Sequence, residues 1–449
     1  NKKNINNKIW NLKNIKNFKN LNKENIKNII SVKKIKKNQN SFVIIKKVDY
    51  KNNEIKLDLG SKKVILKMPE IKKKKTQNDK AKIFNEFDII KIKIKETNPI
   101  KIKIEKLPKI QGAIIVINPK NNELVAVSGG YSFKYSKFNR ATQAKRQPGS
   151  AIKPFVYSVA VEKKKFMPNE IILDIPKAFI NIKENNEYWW KPKNHTGKFS
   201  GDINLKTCLL KSINTCSVSL LEKIGIKNII KLAKKINLIT NHTPFQNDLT
   251  ISLGSSNVIP IDLVNAYTIF PNMGKFANLR IIKKIKTNNN KIIYKNKKKK
   301  KQIINPQTAF LITNILRDVI KEKKEKKHKS QAGKTGTSNK MKSLWFIGYT
   351  QNLVTGIYIG YDNNKSLKHN EYAANVALPI WKDFMKKIKI LLKKEKFKEP
   401  IGITWKKIKK EKNKKNNDYL NALEAFSENF QRNEKKENKK ITKKGGLSP

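Results

Sequence analysis

At 449 residues the chain has room for two or three domains and a large core. Its 38% hydrophobic content excludes a wholly disordered polymer, and no apolar run reaches bilayer-spanning length or, near residue 1, resembles a signal peptide. The net charge of +66 would fit a nucleic acid or an anionic membrane surface. However, only five of the 100 cations are arginines (Arg140, Arg146, Arg280, Arg317 and Arg432), so lysines spread over solvated surfaces account for the balance and no nucleic-acid partner is expected.

Residues 1–30, rich in Asn and Lys, read as a poorly ordered remnant. The chain opens on Asn1 rather than Met, which reads as a fragment with any export signal or membrane anchor upstream. Residues 31–108 are β-rich. Apolar and polar positions alternate over 41–45, 54–58, 63–67, 88–94 and 100–104, as in half-buried strands. Five short strands suit a small barrel of the oligonucleotide/oligosaccharide-binding type.

Residues 109–395 read as a second domain. Gly112–Pro119 and Leu124–Gly130 predict a strand hairpin. Helical periodicity follows over 150–165, 205–224, 227–237, 260–270 and 306–320. Trp345–Tyr349 and Thr355–Tyr361 predict an antiparallel pair, and 378–393 an amphipathic helix. Strands at both ends with helices between them predict an α+β fold, one antiparallel sheet wrapped by helices. Residues 396–449 read as a basic, largely disordered tail, with Phe397–Trp405 docked and a short helix at Tyr419–Phe426. Lysine runs at 297–301 and 321–329 read as solvated loops.

Cys208 and Cys216 are eight residues apart. One continuous helix would hold them too far apart to bridge, and a turn between them would change this. They do not fix the compartment. The four histidines show no metal-ligand spacing, so no metal or other cofactor is expected. Trp189, Trp190 and Phe199 flank Asn194–Gly197, where groove lining and core packing are both open and core packing is the ordinary use.

Three short runs carry the chemistry. Ser150-Ala-Ile-Lys153 lies in Gln147-Pro-Gly-Ser-Ala-Ile-Lys-Pro-Phe155. Pro154 belongs in the first turn of a helix, which puts Ser150 at the N-terminus, where the helix dipole and free N–H groups favour a forming oxyanion. Lys153 lies over the same helical face, and a neutral lysine can take the serine proton. Burial and a second cation, for which Lys334 is the candidate, would lower its pKa. Ser212-Ile-Asn214 falls between two helical stretches. Ser212 would shuttle a proton to a leaving amine and Asn214 would hold a substrate amide. Ala332–Ser338 reads as a short strand on which Lys334 offers a cation to a substrate carboxylate. Gly336 lets backbone approach a ligand, and the Thr337 N–H would pair with that of Ser150 as an oxyanion hole. Taken singly each run is weak, and Ser31-Val-Lys-Lys34 repeats the first by chance. In order, they form the constellation of an acylating serine enzyme. Two of the five arginines fall within ten residues before Ser150, which points to a geometric need there.

With these residues the chain resembles the class A penicillin-binding proteins of the 1A type, from about Gln111 to Phe384. Phe138–Phe155 is similar to that family's nucleophile segment almost residue for residue. Lys198-Phe-Ser-Gly201, Ser252-Leu-Gly-Ser-Ser256 and Trp345-Phe-Ile-Gly-Tyr-Thr350 match further family stretches. The resemblance implies a penicillin-binding/β-lactamase-like fold and a D-Ala-D-Ala transpeptidase. Ser150, Lys153, Ser212, Asn214 and Lys334 would be catalytic, with Thr335, Gly336 and Thr337 at the substrate. It implies peptidoglycan stem peptides and β-lactams as ligands, other cell-wall synthesis proteins as partners, and the periplasmic face of the inner membrane as the location. It also makes the β-rich segment the family's small inserted barrel. The family's glycosyltransferase domain and anchor are not seen in the chain, so no glycan polymerisation is expected of it. Two positions depart from the family: Ser343 stands where an Asp is usual, and 321–329 is nearly pure lysine.

Two rival classes remain at this level. One is a carboxypeptidase or β-lactamase of the same fold, although no Glu-x-x-Leu-Asn run lies between Ser212 and Lys334 to hold a deacylating water. The other is a decayed binding or scaffold fragment.

Overall fold

The computed structural model describes residues 10–11, 37–59, 62–67, 86, 88–104, 108–133, 136–163, 166–183, 186–296, 299–320, 330–367, 371–389, 395–407 and 423–427. The chain divides into two compact units, residues 1–109 and 110–449.

In the first unit β1 (Asn40–Asp49), β2 (Glu54–Asp58), β3 (Lys63–Lys67), β4 (Asp88–Thr97) and β5 (Ile100–Ile104) form an antiparallel sheet. β4 pairs with β1 along one edge, and with β5 and Trp10–Asn11 along the other. Trp10–Asn11 thus joins the sheet from within the stretch expected to be poorly ordered. The Ile/Lys alternation decides which face is buried: Val43, Ile45, Ile55, Leu57, Ile90, Ile92 and Ile94 make one apolar cluster. Lys46, Lys56, Lys95 and Lys101 stay exposed. The β1–β2 turn is set by Asp49, whose carboxylate accepts the Lys51 and Asn52 N–H groups, and by Asn53 in the left-handed region. Bulges after Ile45 and Ile94 bend the sheet. The strand pairing among the described residues does not close into a ring.

The second unit is built on a five-stranded antiparallel sheet. It comprises β6 (Ile110–Asn118), β7 (Glu123–Ser128), β8 (Ala332–Thr337), β9 (Ser343–Tyr349) and β10 (Val354–Tyr361), in the order β8-β9-β10-β6-β7. All seven residues of β9 are buried because both sheet faces are covered. Period-two alternation sorts them. Trp345, Ile347 and Tyr349 join Ile115 and Ile117 in the main helical core. Phe346 joins Val116 and Ile357 under Trp381 of the C-terminal helix Ala377–Lys387.

The helical layer holds α1 (Lys153–Glu162), α2 (Leu205–Leu210), α3 (Asn214–Ile224), α4 (Ile226–Lys235), α5 (Pro260–Ala266), α6 (Pro306–Leu316) and α7 (Ala377–Lys387). α1 is buried from Lys153 to Val161, so it runs through the core rather than along the surface. The stretch predicted as one helix over 205–224 breaks at 211–213 into α2 and α3.

Two expectations need correction. Leu423–Ser427 is a strand paired with Ile403–Lys407, not a helix, because partner hydrogen bonds outweigh a weak local helix preference. Residues 419–422 and the rest of the tail lie outside the described residues, as does 321–329. Trp189 is 64% exposed and Phe199 also lies open, so neither packs in the core. Trp189 and Trp190 belong to a two-stranded ribbon, Phe179–Lys183 with Asn186–Trp190, that stands off the main sheet.

Candidate active site

Ser150 sits half-buried in a 3-10 turn, Gly149–Ile152, that feeds straight into α1. Pro154 occupies the first turn of α1, as expected. The turn is wedged between two backbones. Gly149 has φ +54°, and a Cβ there would lie 2.3 Å from the Thr337 carbonyl oxygen. Gly254, at φ +74°, would put a Cβ 2.3 Å from the Gly149 oxygen. Gly336 faces the Pro148 oxygen and Ala151 in the same way. Three glycines therefore let β8, the nucleophile turn and the 249–254 turn touch backbone to backbone.

Polar ties fix the turn's position. Tyr267 Oη donates to the Ala151 oxygen at 2.6 Å, and Trp345 Nε1 to the Gln147 oxygen at 2.9 Å. Arg146 Nε reaches Tyr358 Oη at 2.7 Å, while its other end donates to the Asp362 carbonyl oxygen. The buried Arg140 clasps the Asp362 carboxylate and the Gly129 and Phe138 oxygens. Both arginines thus pin the segment before Ser150 to the end of β10, a bidentate task to which lysine is poorly suited.

Lys153 is fully buried. Its Nζ contacts three oxygens: Ser212 O at 2.7 Å, Ile213 O at 3.1 Å and Asn214 Oδ1 at 2.8 Å. Ser212 sits at φ +59°, a left-handed conformation costing a non-glycine residue about 1–3 kcal/mol. That twist turns the Ser212 carbonyl to Lys153 and its hydroxyl to Lys334, whose Nζ lies 3.0 Å from Ser212 Oγ and 3.1 Å from Thr335 O. Lys334 projects from β8, which pairs with β9 from Ala332↔Tyr349 to Thr337↔Leu344 and has its other edge toward the Ser150 turn. Thr335 and Thr337 are half-exposed, and Thr337 Oγ1 accepts the Ala373 N–H at 3.3 Å.

Burial drives the Lys153 pKa well below its ordinary value, and the neighbouring Lys334 charge adds to the fall. Burial alone lowers Lys334 to about 7. The three oxygens on Lys153 pull the other way but do not reverse the direction.

The expected substrate-amide role of Asn214 is narrowed. Its Oδ1 accepts from Lys153 and one amide hydrogen goes to the Lys193 oxygen at 2.8 Å, which leaves one hydrogen and one Oδ1 lone pair for a ligand. Asn214 opens α3, and the helix start is held by a network missed in the sequence. Asn194 Oδ1 accepts the Asn214 and Thr215 N–H groups at 3.0 and 3.2 Å. Asn194 Nδ2 donates to the buried Asp174, which also receives the Ser200 N–H and the Thr215 hydroxyl. The one available signal was the position of Asn194 just before the Lys198–Gly201 stretch.

Ser343, the departure from the family, is buried and closes the β8–β9 turn by donating its N–H to Ser338 Oγ at 2.9 Å. Among the described residues no group of three His, Cys, Asp or Glu side chains could hold a metal.

Comparisons with known proteins accord with this geometry. Residues 112–386 match the family "Penicillin binding protein transpeptidase domain". Penicillin-binding protein 1A of Aquifex aeolicus is 34% identical over 302 residues, which cover 66% of this chain and 41% of that protein. Its counterpart in Rickettsia felis is 34% identical over 363 residues, covering 74% and 44%. The chain therefore spans less than half the length of these relatives. The fold resembles that of penicillin-binding protein 1A from Haemophilus influenzae, with a TM-score of 0.71 at 22% identity over 93% of this chain and 66% of that one. It also resembles the PonA1 protein of Mycobacterium tuberculosis in complex with penicillin V, with a TM-score of 0.56 at 22% identity over 66% and 82%.

Proposed function

The chain belongs to the penicillin-binding protein transpeptidase family, and from that premise we propose that it cross-links peptidoglycan stem peptides through an acyl-enzyme on Ser150 and is blocked there by β-lactams. The observation that carries this reading is the linkage of two buried lysines through one strained serine: Lys153 on the Ser212 carbonyl and Lys334 on its hydroxyl.

Ser150 Oγ attacks the penultimate carbonyl of a stem peptide ending in D-Ala-D-Ala, and neutral Lys153 takes the proton. The lysinium so formed is met by three oxygens already in place, more than a neutral amine with two N–H groups can serve. Those oxygens offset part of the cost of burying the protonated product of the transfer, while burial keeps the resting base neutral. The carbonyl oxygen becomes an oxyanion between the Ser150 and Thr337 N–H groups. Collapse breaks the peptide bond, and Ser212 Oγ, backed by Lys334, passes a proton to the departing D-Ala amine. The amine of a neighbouring stem then attacks the ester and gives its proton to Ser212 Oγ, and the cross-link forms as Lys153 returns its proton to the departing Ser150 Oγ. Lys334 with Thr335 and Thr337 binds the terminal carboxylate, and Gly336 leaves room for the substrate backbone.

A periplasmic site at the inner membrane, with other cell-wall synthesis proteins as partners, follows from this reading. No helix among the described residues is long and apolar enough to cross a membrane.

The test is labelling with a fluorescent penicillin read by intact mass. The chain should gain one stable adduct and Ser150→Ala none. Rapid release of penicilloate would favour a hydrolase of the same fold, and an unlabelled, well-folded chain would favour a binding role.

A further inference from the structure

We propose that Cys208 and Cys216 form an intramolecular disulfide that ties together the two ends of the Ser212 loop. They are the chain's two cysteines. Cys208 lies in α2 and Cys216 in α3, on either side of the 211–213 break. On one continuous helix eight residues would separate them by roughly 12 Å. The break folds α3 back, so both thiols are fully buried and their Sγ atoms stand 2.7 Å apart. A disulfide bond is about 2.05 Å long, so closing it asks the sulfurs to move by less than an ångström. The Ile213 N–H already donates to the Cys208 oxygen at 2.9 Å, which draws the loop closed.

The loop between them carries the Ser212 carbonyl and hydroxyl that engage the two lysines, and it holds Ser212 in a left-handed conformation. A covalent tie across its base would keep that conformation occupied. Bacterial periplasm permits such bonds, so the compartment, though not the geometry, rests on the function proposed above.

The chemistry is thiol–disulfide exchange with a small disulfide or disulfide-bearing oxidant. One cysteine thiolate attacks an oxidant sulfur and releases the first oxidant thiol. The second cysteine thiolate attacks the protein sulfur of the mixed disulfide and releases the second. The protein gives up two electrons and two protons, and the oxidant gains them. Burial pushes the Cys208 thiol far above its ordinary pKa, so exchange belongs to the chain before the loop packs, and the finished bond is then shielded.

The test uses the full chain folded in a glutathione redox buffer, unfolded in urea with iodoacetamide and no reductant, then weighed. The proposal expects no carbamidomethyl groups and a mass lower by two hydrogen atoms, with two groups added after dithiothreitol. Two carbamidomethyl groups without reductant, or a disulfide-linked dimer, overturns it. Amide hydrogen exchange over 205–217 should be at least about tenfold slower in the oxidised chain than in the reduced one, and equal exchange overturns the clamp. A bond without a penicillin adduct would strike the transpeptidase reading and leave this one standing, and an adduct without the bond would do the reverse.

Discussion

The same lysine has opposite meanings in the two units of this chain. In the first, lysines alternate with apolar residues along β2, β4 and β5, and Lys46, Lys56, Lys95 and Lys101 stay exposed. In the second, Lys153 and Lys334 are almost fully buried, and burial drives both pKa values down. Charge count therefore says little about this protein. What matters is which of its many cations the fold removes from solvent, and what oxygen atoms it sets against them.

The sharpest break of that comparison is Lys153→Met. Losing the proposed base should slow penicillin acylation by about 10²–10⁴-fold, the usual range for a positioned general base, read from the adduct's rate of appearance. Lys153→Arg should not rescue it, since guanidinium does not deprotonate near neutral pH.

Next comes the pH dependence of stability. Lys334 sits at about 7 when folded and near 10.4 when unfolded. Between those values the unfolded chain binds the extra proton, so stability rises with pH across the window and is penalised in full below about pH 7. Urea unfolding at pH 7 and 9.5 should show a gain of about 3 kcal/mol from this group, absent in Lys334→Met. A slope shared by both chains would mean that Lys334 is charged in the folded state.

Gly149→Ala tests whether the walls really meet. The new Cβ would strike the Thr337 oxygen at a positive φ, costing about 2–3 kcal/mol in a thermal melt and slowing acylation by parting the two proposed oxyanion donors. The smallest effect belongs to the first unit. Lys101→Ala, whose ion pair with Glu96 is exposed, should change stability by less than about 0.5 kcal/mol and leave labelling untouched.

Much of this was legible beforehand. The Ile/Lys alternation marked the five strands of 40–104, and the buried strands around Trp345 and Tyr358 stood out as near-continuous apolar runs. Ser150, Lys153 and Lys334 were singled out as candidates by residue type, order and the flanking Pro and Gly. The junction at Ser212–Asn214 was legible as a turn between helical stretches, although the periodicity over 205–224 gave no sign of how sharply the chain turns there. Asp174 was not legible, being a lone carboxylate forty residues before the helix start it supports. The exposed Trp189 misled because aromatic residues usually bury themselves, whereas a ribbon detached from the sheet offers nothing to pack against.

The sequence by itself determined most of the elements and the candidate reacting groups, since periodicity, capping and side-chain chemistry are properties of short stretches. Only the tertiary structure decided that Lys153 faces three oxygens, that Ser212 is twisted to serve both lysines and that two cysteines meet. Burial, pKa and contact across a chain break depend on residues far apart in sequence, and no local pattern encodes them.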